Sequence, residues 1–589
     1  MKAKRLLNFY TLGVALLFAA ALFWVLAPRA LWGLRFESEG QVLAAHDVPW
    51  LFDMRAGQQW SGVVHIAPTG SSEAHIRVIP DDCLDGAFLD GQVLSLDGVG
   101  NRCDYGSGFP LVLPPSDKER ELVLMGHNGG GPGGLHVLAM DAGWSRSVAA
   151  ICFLGALLSL VFAFLRTRQW SARLTATALG ALALRLWYWS FTPWNERTHD
   201  VTGHADYVAA LLKTWLPPAP DACWQCYQPP LYYYPGAVLQ AIVDKLAWGL
   251  PSHWELQLLS FLAGLGFLLA GISTLRRLLP AGPILGMAAL VFAFWPGAIV
   301  HAPRVGNDPF VYLFSALALR SFAIWQTEGR SPRAAILAAV YGGLALASKT
   351  SGIVALAMVG LVLAVVLVQE RFRDRKTWIA LIGASVASLV AILLALGGPI
   401  SRFVAGTSKY LFVANAGGLD STIRVDANPG NFLWFDLKSW MTFPYTSPWD
   451  DLAGRVWFLN YFGKTSLFGE FHLLGTPVGL WLASLISICA LVLLVLALRA
   501  CLRVIRSDLP WLLYIGLSLV ALALMRYSYP FSCSNDARYI LPIILPFSYL
   551  VGRGLSYPIE SKVLRALAWS GVAMFPIASA ALFIAMGLQ

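Results

Sequence analysis

Apolar stretches long enough to cross a bilayer recur from one end of this 589-residue chain to the other. No other feature constrains the fold as strongly, because inside hydrocarbon only helices and closed barrels satisfy their own backbone groups. Hydrophobic residues make up 57% of the chain and charged residues 13%, where soluble domains carry about 25% charged residues. Mean hydropathy is +0.60. The chain is expected to be a polytopic α-helical membrane protein. The length rule predicts about 13 spans, near 8–27, 147–165, 174–192, 254–274, 281–299, 309–326, 334–348, 352–368, 377–397, 476–498, 509–525, 538–556 and 566–586.

The basic residues orient these spans. MKAKR at the start, RTRQWSAR (166–173), LRRLL (275–279), EGRSPR (328–333), QERFRDRK (369–376), RACLRVIR (499–506), and Arg553 with Lys562 and Arg565 all fall on one side when the spans alternate. By the positive-inside rule that side is cytoplasmic. The net charge of +9 is therefore expected in cytoplasmic loops and points to no nucleic-acid partner. The first apolar run exceeds a usual signal h-region, so residues 1–27 are expected to be an uncleaved anchor. The other side receives residues 28–146 and the loops 193–253, 300–308, 349–351, 398–475 and 526–537. Cys83 and Cys103 share the first of these segments, and Cys223 and Cys226 the second. Disulfides Cys83–Cys103 and Cys223–Cys226 suit an oxidising compartment. No N-x-S/T sequon occurs in these segments, which leans toward a bacterial inner membrane with the loops in the periplasm.

Residues 34–142 break the membrane pattern. Short alternating runs such as GVVHIA, AHIRVI and ERELVLMGH, punctuated by Gly, Asp, Asn and Pro, predict a small antiparallel β-sandwich. HNGGGPGGLHV is similar to the loop and last strand of a jelly-roll carbohydrate-binding module. A structural cap and a sugar-binding module are both open for this domain, since a fold does not dictate function.

The loops carry the chemistry. NERTHDVTGHADYV (195–208) follows directly on an apolar run. If 198–210 is a helix, Asp200, His204 and Tyr207 share one face at i, i+4 and i+7. A carboxylate beside an imidazole suits proton abstraction or a divalent metal; Thr198 or Asp200 could instead be an N-cap. His199 joins this group as a catalytic candidate. DACWQCYQPPLYYYPGAVL (221–239) supplies Tyr233 among three tyrosines that suit either an interfacial belt or stacking on a sugar or prenyl chain. HAPRVGNDPF (301–310) supplies Arg304, Asn307 and Asp308. ALASKTSG (345–352) supplies Lys349, a boundary cation with a functional reading beside a snorkelling one. Arg185, inside the third span, shares the functional reading, and Arg320 is expected to snorkel. SCSNDARYILPIILP (532–546) supplies Asp536, Arg538 and Tyr539 at the outer mouth of a span. Acids and bases from separate loops thus collect at one membrane face, as a site for an anionic lipid headgroup beside a carboxylate base would require.

In these motifs the chain resembles the GT-C superfamily of integral membrane glycosyltransferases, in particular bacterial members of the dolichyl-phosphate-mannose protein mannosyltransferase and lipid A aminoarabinose transferase group. HDVTGHADY, QPPLYYY, RVGNDPF, LALASKTSG, FGKTSLFGEF (462–471) and NDARYILPIILP occur in that family's order between about 170 and 560. Gln228 stands where many relatives have His. The anchor and β-domain precede the usual first family helix, so residues 147–589 form the GT-C-like part.

The resemblance implies a polyprenyl-phosphate-linked sugar as donor, with inverting transfer to a hydroxyl of a lipid, polysaccharide or protein on the extracytoplasmic face. It implies that Asp200 is the acidic residue that serves as general base or, in oligosaccharyltransferases, as a metal ligand. Arg304, Lys349 and Arg538 are expected on the donor phosphate. Asp308, Asn307, Tyr207, Tyr233 and Asp536 are expected on sugar or acceptor. If a cofactor is needed it is a divalent cation, Mg or Mn, held by Asp200 and Asp308. Loop 398–475 is expected to be a lid or acceptor site. Rival readings are a ligase or polymerase of lipid-linked glycans, a transporter or flippase, and an assembly protein. The transporter reading lacks the paired half-repeats such folds show.

Overall fold

The computed structural model describes residues 2–25, 31–38, 41–44, 50–53, 57–70, 73–80, 83–96, 102, 109–128, 132–139, 144–194, 196–246, 253–371, 373–406 and 421–588. Two compact units emerge: Met1–Thr167 with Val243–Trp254, and Arg168–Ile242 with Glu255–Gln589.

The first unit begins with helix α1 (Lys2–Val25). Among the described residues ten strands follow: β1 (Leu31–Ser38), β2 (Gln41–Ala44), β3 (Trp50–Asp53), β4 (Gln59–Ile66), β5 (Ala74–Pro80), β6 (Cys83–Leu89), β7 (Gln92–Val93), β8 (Phe109–Leu113), β9 (Arg120–His127) and β10 (Pro132–Ala139). They pair antiparallel into two sheets, β2-β1-β4-β9-β6-β7 and β3-β10-β5-β8. Alternation along the strands builds the core between them. Along β4, for example, Trp60, Val64 and Ile66 point inward to join Leu122 and Leu124 of β9 and Ile76 and Val78 of β5. Helix α2 (Trp144–Thr167) packs along α1, with the rings of Phe9 and Phe162 4.7 Å apart. Cys83 is disulfide-bonded; Cys103 lies outside the described residues, as do positions 129–131 of the glycine-rich loop.

The second unit is helical. In order it contains α3 (Ala172–Ser190), α4 (Val201–Thr214), α5 (Tyr233–Leu246), α6 (Trp254–Leu278), α7 (Pro283–Ala293), α8 (Pro296–Val300), α9 (Asp308–Thr327), α10 (Pro332–Ser348), α11 (Ile353–Gln369) and α12 (Arg375–Val404). After these come α13 (Pro429–Leu433), α14 (Leu437–Thr442), α15 (Phe458–Phe468), α16 (Pro477–Cys501), α17 (Leu509–Ser528), α18 (Ile544–Ser556) and α19 (Lys562–Met586). Among the described residues, seven helices are long and apolar enough to cross a membrane, and shorter apolar helices include Pro283–Ala293 and Pro332–Ser348. The chain is an integral membrane protein, and each stretch where the sequence predicts a span contains helix among its described residues.

Two expected spans are interrupted, and both interruptions position functional residues. The 281–299 stretch breaks between α7 and α8 at Phe294 and Trp295, ahead of Pro296. A broken helix end needs new partners for its freed carbonyls. Arg185, 1% exposed, donates to the Ala293 carbonyl at 2.8 Å and to Ala181 at 3.1 Å. Ser579 Oγ donates to Phe294 at 2.7 Å. Arg185 thus holds a helix break. Arg320 donates Nε to Ser273 Oγ at 3.0 Å. The 538–556 stretch starts as a 3-10 segment (Ala537–Ile543) before α18.

Loop 398–475 is more ordered than its composition predicts. Helix α12 runs on to Val404, and α13, α14 and α15 occupy the second half; residues 407–420 lie outside the described set. Lys464 explains part of this order. It is 1% exposed, and its Nζ donates to the Ser439 carbonyl, Ser439 Oγ and the Ala453 carbonyl at 2.8–3.1 Å. All three ammonium protons are used in tying the loop together.

Candidate active site

Five chain segments line one pocket in the second unit: 199–204, 225–228, 304–309, Lys349, and 538–539. They are far apart in sequence and share it because α4, the 301–308 turn, the α10–α11 junction and the 3-10 segment before α18 end at the same place.

Asp200 sets the first wall. Helix α4 starts at Val201, later than the 198–210 pattern predicts, and Asp200 stands before it in the left-handed region at φ 60°. Asp tolerates that region better than most residues. Its carboxylate makes no cap bond. Instead Oδ1 accepts from Trp224 Nε1 at 2.6 Å, and Oδ2 lies 3.9 Å from the Arg538 guanidinium. The side chain keeps 29% exposure, so it can meet a ligand. Burial opposes its charge, but Arg538, the two neighbouring histidines and the Trp224 hydrogen bond hold the carboxyl below its ordinary value.

His204 follows one turn later and lines the same pocket. Its Nδ1 lies 2.8 Å from the Tyr233 hydroxyl. Burial, against the pull of Asp200, lowers its imidazole to about 3, so the ring is neutral. Gly306 makes room opposite. A Cβ there would stand 3.1 Å from His204 Nε2, and the backbone φ of +151° is one that side chains rarely adopt. His199 lies 2.9 Å from Glu470 through Nε2 and stacks on Phe471 at 4.8 Å. Burial, with Arg304 and Arg538 beside it, drives His199 well below the ordinary range. Burial raises Glu470 in turn, and the Tyr461 hydroxyl donates to it.

The three cations come from three elements. Lys349 Nζ lies 2.6 Å from Asp308 Oδ1 and 4.7 Å above the Tyr539 ring. Arg538 lies 3.1 Å from Asp536 and donates to the Tyr539 hydroxyl at 3.0 Å. Arg304 Nη1 lies 3.2 Å from His301 Nδ1, and its guanidinium is 5.9 Å from the Phe471 ring centre. All three are buried, with 6–8% exposure. A desolvated guanidinium or ammonium group attracts an anion more strongly than a water-exposed one.

Residues 239–400 match the family model described as dolichyl-phosphate-mannose-protein mannosyltransferase. That match covers less than a third of the chain. Three solved structures are similar to it in part. ArnT from Cupriavidus metallidurans in the apo state is 16% identical, with 69% of this chain and 75% of that chain covered and a TM-score of 0.41. The oligosaccharyltransferase AglB from Archaeoglobus fulgidus is 12% identical over 71% and 56% of the two chains, with a TM-score of 0.37. The arabinosyltransferase EmbB from Mycobacterium smegmatis is 12% identical over 99% and 64%, with a TM-score of 0.37. No curated protein matches the sequence.

Within this pocket stand His199, Asp200, His204, Arg304, Asp308, Lys349 and Arg538, seven of the residues the sequence singles out. Four others stand behind its wall. Tyr207 stacks on Tyr233 at 3.7 Å in a buried aromatic cluster. Asn307 donates to the Gln228 side chain at 3.3 Å and to the Ser348 carbonyl at 2.9 Å. Asp536 is fully buried behind Arg538. Gln228 itself lines the pocket, its amide bridging Asn307 and Gln225. Cys223 and Cys226 form the expected disulfide.

Sequence reasoning passes over Glu470, Trp224 and Phe471. Glu470 is an acid within the apolar run FGKTSLFGEF, which was the available signal. Its carboxylate joins His199 and Asp536 in a cluster whose ligand atoms lie within 4.8 Å of one another. A nitrogen and two carboxylates suit a divalent cation such as Mn. This is a different set from Asp200 and Asp308, whose carboxylates are engaged by Trp224 and Lys349.

Proposed function

We propose that the protein transfers a sugar from a polyprenyl-phosphate donor to an acceptor hydroxyl on the extracytoplasmic face of the membrane, with inversion. The observation that carries this reading is the pocket itself: a part-exposed carboxylate, Asp200, beside three desolvated cations, Arg304, Lys349 and Arg538. The matched family's description names a dolichyl-phosphate-linked sugar, which is the same donor chemistry.

The reaction needs little covalent help from the protein. The acceptor hydroxyl gives its proton to Asp200 as its oxygen attacks the anomeric carbon. The bond from that carbon to the phosphate oxygen breaks, and the electron pair leaves with the polyprenyl phosphate. A phosphate leaves as a stable anion, so it needs positive charge and no general acid. Arg304, Lys349 and Arg538 supply that charge. The Asp308 carboxylate keeps Lys349 extended toward the pocket and is placed for sugar hydroxyls. Neutral His204, anchored on Tyr233, offers Nε2 to orient the acceptor. This differs from glycoside hydrolysis, where two carboxylates flank the bond. A divalent cation held by His199, Glu470 and Asp536 would add positive charge near the leaving phosphate.

The test is a transfer assay on the purified detergent-solubilised protein, using a panel of polyprenyl-phosphate monosaccharides and a membrane extract as acceptor source. Mass spectrometry would follow release of polyprenyl phosphate. The expected outcome is release by the native chain and a loss of at least a hundredfold in Asp200→Asn. Full transfer by Asp200→Asn would remove Asp200 from the role of base. Folded native protein that releases nothing from any monosaccharide donor would overturn the reading in favour of a ligase of larger lipid-linked glycans.

A further inference from the structure

The Cys223–Cys226 bridge closes a ring of four residues, and the two between the cysteines, Trp224 and Gln225, both face the site. Gln225 lines the pocket. Trp224 donates Nε1–H to Asp200 Oδ1 at 2.6 Å. The Trp224 side chain is 37% exposed, so packing alone does not hold it there. In water an indole of that exposure would sample several rotamers. Two features restrict it. The disulfide, together with the Cys226 N–H to Cys223 carbonyl bond at 3.1 Å, fixes the backbone on either side of it. Gly203, in the first turn of α4, lets that ring approach: a Cβ there would lie 2.9 Å from Gln225 Cγ and 3.0 Å from Trp224 Cβ.

Asp200 needs such a partner. It stands in the left-handed region with no cap bond of its own, and Arg538 is at 3.9 Å, beyond hydrogen-bond distance. The Trp224 N–H therefore selects which carboxylate oxygen is occupied and leaves Oδ2 to face the pocket.

We propose that Trp224 is a positioning residue for the transfer reaction, acting through Asp200, and that the Cys223–Cys226 disulfide serves catalysis by holding Trp224 in place. The proposal rests on the reading of Asp200 as the base. Aiming a general base is a matter of geometry, and a misplacement of about 1 Å is enough to cost a large factor in rate. Trp224 touches no reacting atom, so its effect falls on turnover and leaves donor binding, the work of Arg304, Lys349 and Arg538, nearly untouched.

The experiment measures kcat and donor KM on the full-length protein in detergent for the native chain, Trp224→Phe, the pair Cys223→Ser with Cys226→Ser, the triple variant, and Asp200→Asn. Trp224→Phe keeps the ring and deletes the N–H. The expected result is a kcat lowered about tenfold with KM within about twofold, the size of one charge-assisted hydrogen bond. The cysteine pair is expected to lose a similar factor, and the triple variant no more than the larger of the two, because both act through one contact. A dithiol, which passes two electrons and two protons to the bridge and closes its own disulfide, provides a second route if the serine variant folds poorly. It is expected to slow the native enzyme and to leave Trp224→Phe unchanged. An inactive Asp200→Asn together with native kcat in Trp224→Phe would overturn this inference and leave the base assignment standing. Losses that multiply in the triple variant would also overturn it, by making the disulfide a separate structural element. Full activity in Asp200→Asn would instead overturn the base assignment on which it rests.

Discussion

Lys349 Nζ lies 2.6 Å from Asp308 Oδ1, and both side chains are buried, with 10% and 9% exposure. The two residues are 41 positions apart and are the N-cap neighbour of one helix and the residue closing another. Removing one member of a buried pair strands the other charge, at a cost of about 3–5 kcal/mol. Lys349→Met and Asp308→Asn are each expected to lower the thermal midpoint in detergent sharply. The double variant is expected to recover much of the stability while remaining inactive, which separates the structural work of the pair from the role proposed for Lys349 on the donor phosphate.

The pH profile of transfer should report Asp200 and Arg538. Asp200 is held below its ordinary value, with burial opposing and Arg538 prevailing. A depressed acid is ionised above its folded pKa, so base activity is present at neutral pH and lost only as pH falls through that low value. Arg538→Gln removes the main cation acting on Asp200. Its acid limb in kcat/KM is expected to move to higher pH, whatever the loss in absolute rate. His204, lowered to about 3, is already neutral above about pH 5 and is expected to add no limb of its own there. A profile whose acid limb is unmoved in Arg538→Gln would break this link.

Glu470 should matter to stability as well as to rate. The Tyr461 hydroxyl donates to it and His199 lies 2.9 Å away. Glu470→Ala leaves the buried Tyr461 hydroxyl and the part-buried His199 without this partner, at a cost of about 1–3 kcal/mol. Glu470→Gln keeps the shape and an acceptor oxygen, so its thermal midpoint is expected to stay close to native. Thermal unfolding of the two variants side by side checks this.

Arg185 holds the break between α7 and α8, donating to the Ala293 carbonyl at 2.8 Å. That break leads into the 301–308 turn with Arg304 and Asp308. Arg185→Met is expected to destabilise by about 1–3 kcal/mol by orphaning the carbonyls. It should also lower kcat through the displaced turn, although Arg185 is not among the residues lining the pocket. Unfolding and turnover measured on one preparation test both parts.

Much of the architecture was legible from the chain alone. Membrane-spanning length, a 13% charged fraction and period-two strands are local properties, and they survive folding because the bilayer and the sheet impose them directly. The cations and acids of the pocket were legible too, since a charge at a span's end is costly and so stands out. Three things needed the tertiary structure. The partner of each charge was hidden: Lys349 meets Asp308 and His199 meets Glu470 across long sequence separations that no local period encodes. The α4 boundary was misplaced, because a left-handed Asp200 held by Trp224 overrides the helical pattern that runs through it. Tyr207 and Asn307, which share the motifs of pocket residues, turn away to pack and to satisfy buried carbonyls. The sequence determines that such groups are present and near the membrane surface. Which of them line the pocket is decided by long-range packing, because each buried charge must find its partner among residues that only the folded chain brings within a few ångströms.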